Sequence, residues 1–346
     1  MKHGKNFIFT TAVLSLAATL LFGLSACSAK EKRTAISEAE GKEMLSAALN
    51  DFKEFDAGTN REIIVTMSEE YFDGDGNKEE VGESNRISIA KTGTGAATVM
   101  KMTEENLTNG DNSVTYYGKA SDGKFYRASE SREKVGSGSN AIIPSAPSRE
   151  LYEYASQADF LDTVDDFSFD FGSVANSLLP ALDAESAEPF MFNGKLADEN
   201  SVKISGEKIT KKGTADKSVI RLTFTQTEFY NAEASTNATD GEKTTYIFIF
   251  TVSNDRIDII SCTERTDYTE NGASDAEVNS TEVVIKYDIA ALTFPADYAD
   301  YRTPVDDGKT NDGNTDDGNN DKGNPDEGNP DEGNPEIPTK RINPKF

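Results

Sequence analysis

The second half of the chain carries runs in which apolar and polar residues alternate too regularly for helix or loop. Between Val219 and Phe229, Ile220, Leu222 and Phe224 alternate with Arg221, Thr223 and Thr225, the period-two pattern of a strand with one buried face. Ile257 to Cys262 and Val283 to Tyr287 read as further strands. Tyr246-Ile247-Phe248-Ile249-Phe250 is apolar at every position, which predicts a strand covered on both faces near the middle of a sheet. The first half repeats the theme. Ile63, Val65 and Met67 lead to a turn at Asp73 to Asn77, with Ile87 and Ile89 on the return. Shorter runs follow at Thr98 to Met102 and Val114 to Tyr117, Asp122-Gly123 makes a tight turn before Phe125 and Tyr126, and Val202 to Ile204 resumes the sheet.

Helical spacing interrupts these strands twice. Ser37 stands three residues before Glu40, the capping-box interval, and Leu45, Ala48, Leu49, Phe52 and Phe55 follow on one helical face. Ser129 to Ser148, rich in Ser, Gly and Pro, reads as a loop. Beyond it Leu151, Tyr154, Ala155, Ala158, Leu161 and Val164 have helical spacing, and another helix is expected from Ser173 to about Ala184. The fold class is therefore α+β: a curved antiparallel sheet, unclosed and barrel-like, packed with an N-terminal helix and a central helical insertion.

Composition removes several functions. Lys+Arg number 35 against 61 Asp+Glu, a net charge of −26, the wrong sign for holding nucleic acid phosphate. The one histidine is His3, within a segment read below as removed. A mature chain without imidazole has no Ser-His-Asp or Cys-His nucleophile and no His-ligated metal. No enzyme, cofactor or metal is expected. Asp73, Asp75, Asn77 and Glu79 sit at odd positions like calcium-loop ligands, but Lys78 and Ser84 stand where Gly and Glu are required, so a hairpin turn is favoured over a calcium site. Acidic pairs such as Asp165 and Asp166 carry no specific signal in so acidic a chain. Of the 2 cysteines, Cys262 alternates with Ile260 and reads as a small structural residue; a reactive thiol or an intermolecular disulfide is the alternative.

At the amino terminus, Lys2 and Lys5 precede an uncharged, mostly apolar run from Phe7 to Leu24 that ends in Leu24-Ser25-Ala26-Cys27. This is the layout of a secretory signal, with an ordinary membrane span as the alternative. Leu-Ser-Ala-Cys resembles the lipobox of bacterial lipoprotein signal peptides. That resemblance implies lipid attachment at Cys27 and cleavage before it, with palmitate-like chains holding the protein on the extracytoplasmic face of a bacterial membrane. Residues 1–26 are then a signal peptide, 27–35 a lipidated tether, 36–304 a single half-barrel domain and 305–346 a tail. In the tail Gly308, Gly313, Gly318, Gly323, Gly328 and Gly333 recur in an Asp-x-Gly-Asn-x unit without apolar residues, the composition of an extended, disordered segment rather than a calcium-binding solenoid. The closing stretch adds Lys340, Arg341 and Lys345, a basic end able to meet an anionic surface.

The order of lipobox, opening helix, strands, helical insertion and further long strands up to Tyr287 resembles the LolA/LolB and LppX/LprG-like superfamily of lipoprotein carriers and lipid-binding lipoproteins. The resemblance spans Ile36 to Pro295 in organisation, without a shared residue motif. It implies an apolar cavity between sheet and helices that takes a hydrophobic or lipidic ligand. The expected lining is Ile220, Leu222, Phe224, Phe248, Phe250, Ile257, Ile259, Val283, Ile285, Leu151, Leu161 and Leu178. The same apolar stripes also fit a filled core. The alternative function is a structural or adhesive surface lipoprotein contacting cell-wall polymer or proteins, with the tail as one means of contact.

Overall fold

The computed structural model describes residues 31–53, 60–134, 146–167, 171–183, 189–211, 213–229, 240–270 and 273–301. The signal segment, Cys27 and the repeat tail lie outside the described residues. The strands are β1 (Lys32–Ile36), β2 (Arg61–Phe72), β3 (Lys78–Thr92), β4 (Val99–Asn106), β5 (Asn112–Lys119), β6 (Phe125–Arg132), β7 (Ser148–Glu153), β8 (Met191–Phe192), β9 (Lys195–Leu196), β10 (Lys203–Thr210), β11 (Lys217–Phe229), β12 (Gly241–Ser253), β13 (Arg256–Glu270) and β14 (Ala273–Tyr287). The α-helices are α1 (Glu38–Lys53), α2 (Gln157–Asp166) and α3 (Phe171–Leu178).

Twelve strands form one sheet in the order β1-β10-β11-β12-β13-β14-β2-β3-β4-β5-β6-β7. Every pairing in it is antiparallel. The sheet is curved and unclosed, with β1 and β7 at its edges. This is the α+β architecture expected from the alternation. The path explains the two helical interruptions. From edge strand β1 the chain passes through α1 to interior strand β2, and from the opposite edge β7 it returns through α2 and α3 to β10, beside β1.

Helix α1 starts where the sequence predicts. Ser37 Oγ accepts from the Glu40 amide at 3.2 Å, Glu38 and Glu40 occupy the first turn and Lys53 the last, charges that suit the helix dipole. Leu45, Ala48, Leu49 and Phe52 form its buried stripe, and Phe52 meets Phe171 of α3 edge-on at 4.6 Å between ring centroids. These two helices, with β10–β14 and β2, enclose the larger core. A smaller one holds Met100, Met102, Tyr117, Phe125, Tyr154 and, from α2, Phe160 and Val164. Cross-strand pairs Val65↔Ile87, Ile89↔Met102 and Met100↔Tyr117 put both cores on the same, helix-bearing face, because directly paired residues point the same way. The outer face is covered at one place. Following β14, the segment to Tyr301 crosses β3 at Thr92, whose Oγ1 accepts from Leu292 N at 3.0 Å. Phe294 then rests on Gly118, where a Cβ would stand 3.1 Å from the ring. Tyr301 ends this strap, buried, its hydroxyl donating to Glu130 at 2.7 Å.

Several expectations are corrected. Strand β12 is buried on one face only: Tyr246, Phe248 and Phe250 are inside, while Ile247 and Ile249 are half-buried on the outer face, because the described helices occupy one side of the sheet. Ile259 does not face the helices. Register shifts between Thr251 and Val252, with Val252 opposite Ile257 and Thr251 opposite Ile259. Asp258 is thereby an extra residue that inverts the alternation, so Ile257, Ile260 and Cys262 point inward and Ile259 outward. Leu151 is in strand β7, not a helix, and joins Ala120, Tyr126, Ala128 and Tyr301 on the outer face. Its helical spacing with Tyr154 and Leu161 is broken at Ser156, which caps α2 by accepting from Asp159 N at 3.2 Å. Residues 32–36, expected in the tether, pair with β10 as an edge strand, and residues 129–132, expected in a loop, extend β6.

Candidate functional site

The helix-bearing face is divided. On β11 and β12 the inward residues are apolar from Ile220 to Phe224 and from Phe250 to Tyr246, then become Gln226 and Thr244. The same change crosses the neighbouring strands. Phe224 and Tyr246 continue the row into Glu264, Asn279 and Glu69; Gln226 and Thr244 continue it into Thr266, Glu277 and Tyr71. Most of these polar side chains are half-buried. Their carboxylates accept from neutral donors: Tyr246 Oη at 3.3 Å to Glu264, Tyr268 Oη at 3.4 Å and Asn279 Nδ2 at 2.7 Å to Glu277. Burial, then the Glu264 charge, pushes the Tyr246 phenol well above its ordinary range, so it stays a neutral donor.

The apolar side of this boundary is closed. Leu45, Leu49, Ile220, Leu222, Phe224, Phe248, Phe250, Ile260 and Val283 each have 0% exposure, which leaves no water-sized space against them. Of the residues expected to line a cavity, Ile220, Leu222, Phe224, Phe248, Phe250, Ile257, Val283, Ile285 and Leu178 are brought together here, in mutual contact. Leu161 packs on the smaller core beside α2. Leu151 and Ile259 are on the outer face, as described above. Cys262 is a buried free thiol in the larger core. Its burial, then Glu264, raises its pKa far above the ordinary thiol value, which makes it a packing residue rather than a nucleophile. Asp73 closes the β2–β3 turn, accepting from Asp75 N and Asn77 N on Oδ1 and from Asn77 Nδ2 on Oδ2; both carboxylate oxygens are used by the turn itself. Among the described residues no group of three or more His, Cys, Asp or Glu side chains is arranged to hold a metal, and no helix is long and apolar enough to cross a membrane.

What covers the boundary is a feature absent from the sequence reading. Strands β8 and β9 form a separate two-stranded hairpin, with Met191 paired to Leu196 and Phe192 to Lys195. Its turn, Asn193-Gly194, has φ of 50° and 79°, the left-handed pair that this dipeptide accommodates best. Phe192 points down, 2% exposed, with ring centroids 5.3 Å from Phe224, 5.0 Å from Tyr246 and 5.7 Å from Phe248. Gln226 fixes the hairpin from below: its Nε2 donates to Phe192 O at 2.9 Å and Lys195 O at 2.8 Å. Lys195 fixes it from the rim, its Nζ 2.7 Å from Glu228 Oε2 and 2.6 Å from Glu242 Oε1. Those two carboxylates hold the ammonium above its ordinary pKa, and Lys195 holds Glu228 below its own. Nearby, Asp198 accepts from Thr225 at 2.6 Å and Thr227 at 2.8 Å; burial works against its charge, but these hydroxyls outweigh it and lower its pKa. The Asn-Gly dipeptide between apolar residues was the available signal for this hairpin. Nothing local marks Gln226, whose position in a strand of alternating residues looks ordinary.

No protein-family model matches the chain, and no curated protein matches it. Among solved structures, the crystal structure of the COG4313 outer membrane channel from Pseudomonas putida F1 aligns with 68% of this chain and 98% of that chain, at 7% sequence identity and a TM-score of 0.16, an agreement too slight to bear on fold or function.

Proposed function

We propose that this protein is an extracytoplasmic lipoprotein, anchored by acylated Cys27, that works as a structural or adhesive surface protein. On this reading its contacts with cell-wall polymer or other proteins run through its polar, acidic surface and its carboxy-terminal segment. The observation that carries the choice is the closure of the apolar layer, with Ile220, Leu222, Phe224, Phe248 and Phe250 all at 0% exposure. A standing cavity for an acyl chain needs space against those residues, whereas a surface protein needs only a stable scaffold. The net charge of −26 suits partners bearing cationic groups. The lipobox resemblance supplies the compartment, and two or more acyl chains supply a stable anchor.

Two alterations test the reading. Cys27→Ala is expected to leave the protein unprocessed or released from the membrane fraction; unchanged processing and membrane retention overturn the anchor. Deletion of 305–346 is expected to lower co-sedimentation with purified cell wall while the protein stays in the membrane fraction. Unchanged wall association in that deletion overturns the role given to the tail.

A further inference from the structure

We infer that the β8–β9 hairpin is a displaceable plug over a binding site for a neutral, hydroxyl-bearing monoacyl amphiphile, with Phe192 standing where the ligand's chain goes and Gln226 placed to receive its head group. The inference does not depend on acylation of Cys27.

The hairpin is built unlike the rest of the fold. It pairs only with itself, through two residues on each strand, and adds no strand to the large sheet. One apolar ring, Phe192, goes into a cage of Phe224, Tyr246 and Phe248. Met191 and Leu196, paired on the hairpin, are 52% and 53% exposed, an arrangement that offers a passing alkyl chain its first contact. The fastenings are polar: two amide hydrogen bonds from Gln226 and an ammonium held by Glu228 and Glu242 at the solvent edge. Withdrawal of the hairpin uncovers an aromatic slot that an alkyl chain fills on the same principle that now buries Phe192.

The second, independent observation concerns the far end of that slot. Gln226 is 4% exposed, and its Oε1 has no hydrogen-bond partner among the described residues. A buried carbonyl without a donor is costly, and native structures avoid it unless something else supplies one. Its neighbours across the sheet cannot readily do so: Thr244 and Thr266 are buried and bonded to each other at 3.1 Å. A ligand that satisfies Gln226 must carry a donor beside its chain. The rim selects further. Glu228, Glu242 and Glu264 lie within one or two residue steps of Gln226 on paired strands, so a carboxylate or phosphate head meets like charge, whereas a glycerol hydroxyl does not.

The chain contains no tryptophan, so Phe192→Trp in the full chain carrying Cys27→Ala is a single reporter at the plug. Monolaurin, titrated below its micelle concentration, is expected to shift the emission to the red and raise acrylamide quenching to saturation. Methyl laurate, with the same chain and no donor, is expected to need at least about tenfold more, a factor set by one hydrogen bond. Lys195→Ala, which frees the rim, is expected to lower half-saturation by monolaurin about threefold or more. Emission that stays blue and unquenched throughout overturns the plug, and equal potency of methyl laurate overturns the assignment of Gln226. Should the tryptophan variant fail to unfold cooperatively, native mass spectrometry of the Cys27→Ala chain decides: a one-to-one monolaurin adduct supports the site, and its absence overturns it.

Discussion

The ring of Phe192 stands edge-on to that of Phe224, centroids 5.3 Å apart and planes inclined by 67°. This joins a hairpin of four paired residues to the central strands of the larger core. Removing the ring in Phe192→Ala leaves a hole lined by Phe224, Tyr246 and Phe248, and buried phenylalanines of this kind cost about 3 kcal/mol or more when truncated. Urea unfolding of the variant is expected to show a lower midpoint with an unchanged slope, since the twelve-stranded sheet itself persists.

The bulge at Asp258 makes a parity prediction. Ile260 has 0% exposure, whereas its neighbour Ile259 is half-buried on the outer face. Ile260→Ala is expected to destabilise by about 3 kcal/mol and Ile259→Ala by less than about 1 kcal/mol. Equal losses in equilibrium unfolding overturn the register drawn between β12 and β13.

The thiol of Cys262 is 4% exposed and its pKa is raised by burial and then by Glu264. Ellman's reagent at pH 8 is therefore expected to react with it about a hundredfold more slowly in the native Cys27→Ala chain than in urea. Fast native labelling overturns the structural role given to this residue.

The rim clasp sets a pH dependence. Glu228 has a folded pKa below its ordinary 4.5, so its contribution is complete above about pH 4.5 and is lost as pH falls through the depressed value. Lys195 is shifted upward from 10.5, so its contribution is complete below that value and is lost only as pH rises through the raised one. Acrylamide quenching of the Phe192→Trp reporter is expected to stay level between pH 5 and 9 and to rise below about pH 4, before far-ultraviolet circular dichroism changes. In Lys195→Met the level stretch disappears from the comparison, quenching being high throughout. A reporter insensitive to both acid and this substitution overturns the clasp.

Helix α1 and the β2–β3 turn were legible locally because their determinants are local: Ser37 caps three residues ahead, and Asp73 bonds amides two and four residues on. The positions of the strands were legible for the same reason, since alternation survives in any context that covers one face. The candidate site was not. Gln226 acquires its role from Phe192 and Lys195, 34 and 31 residues away, and no spacing rule connects them.

By itself the sequence determined an antiparallel, helix-interrupted chain with its apolar stripes on named residues. Tertiary structure decided which of those stripes met one another. The extra residue at Asp258 turned Ile259 outward, Ser156 ended the spacing that joined Leu151 to Leu161, and a single layer of helices left Ile247 and Ile249 half-buried. Periodicity reports a side chain's direction relative to its own backbone; which side becomes interior is fixed by partner strands and by the layer packed above them.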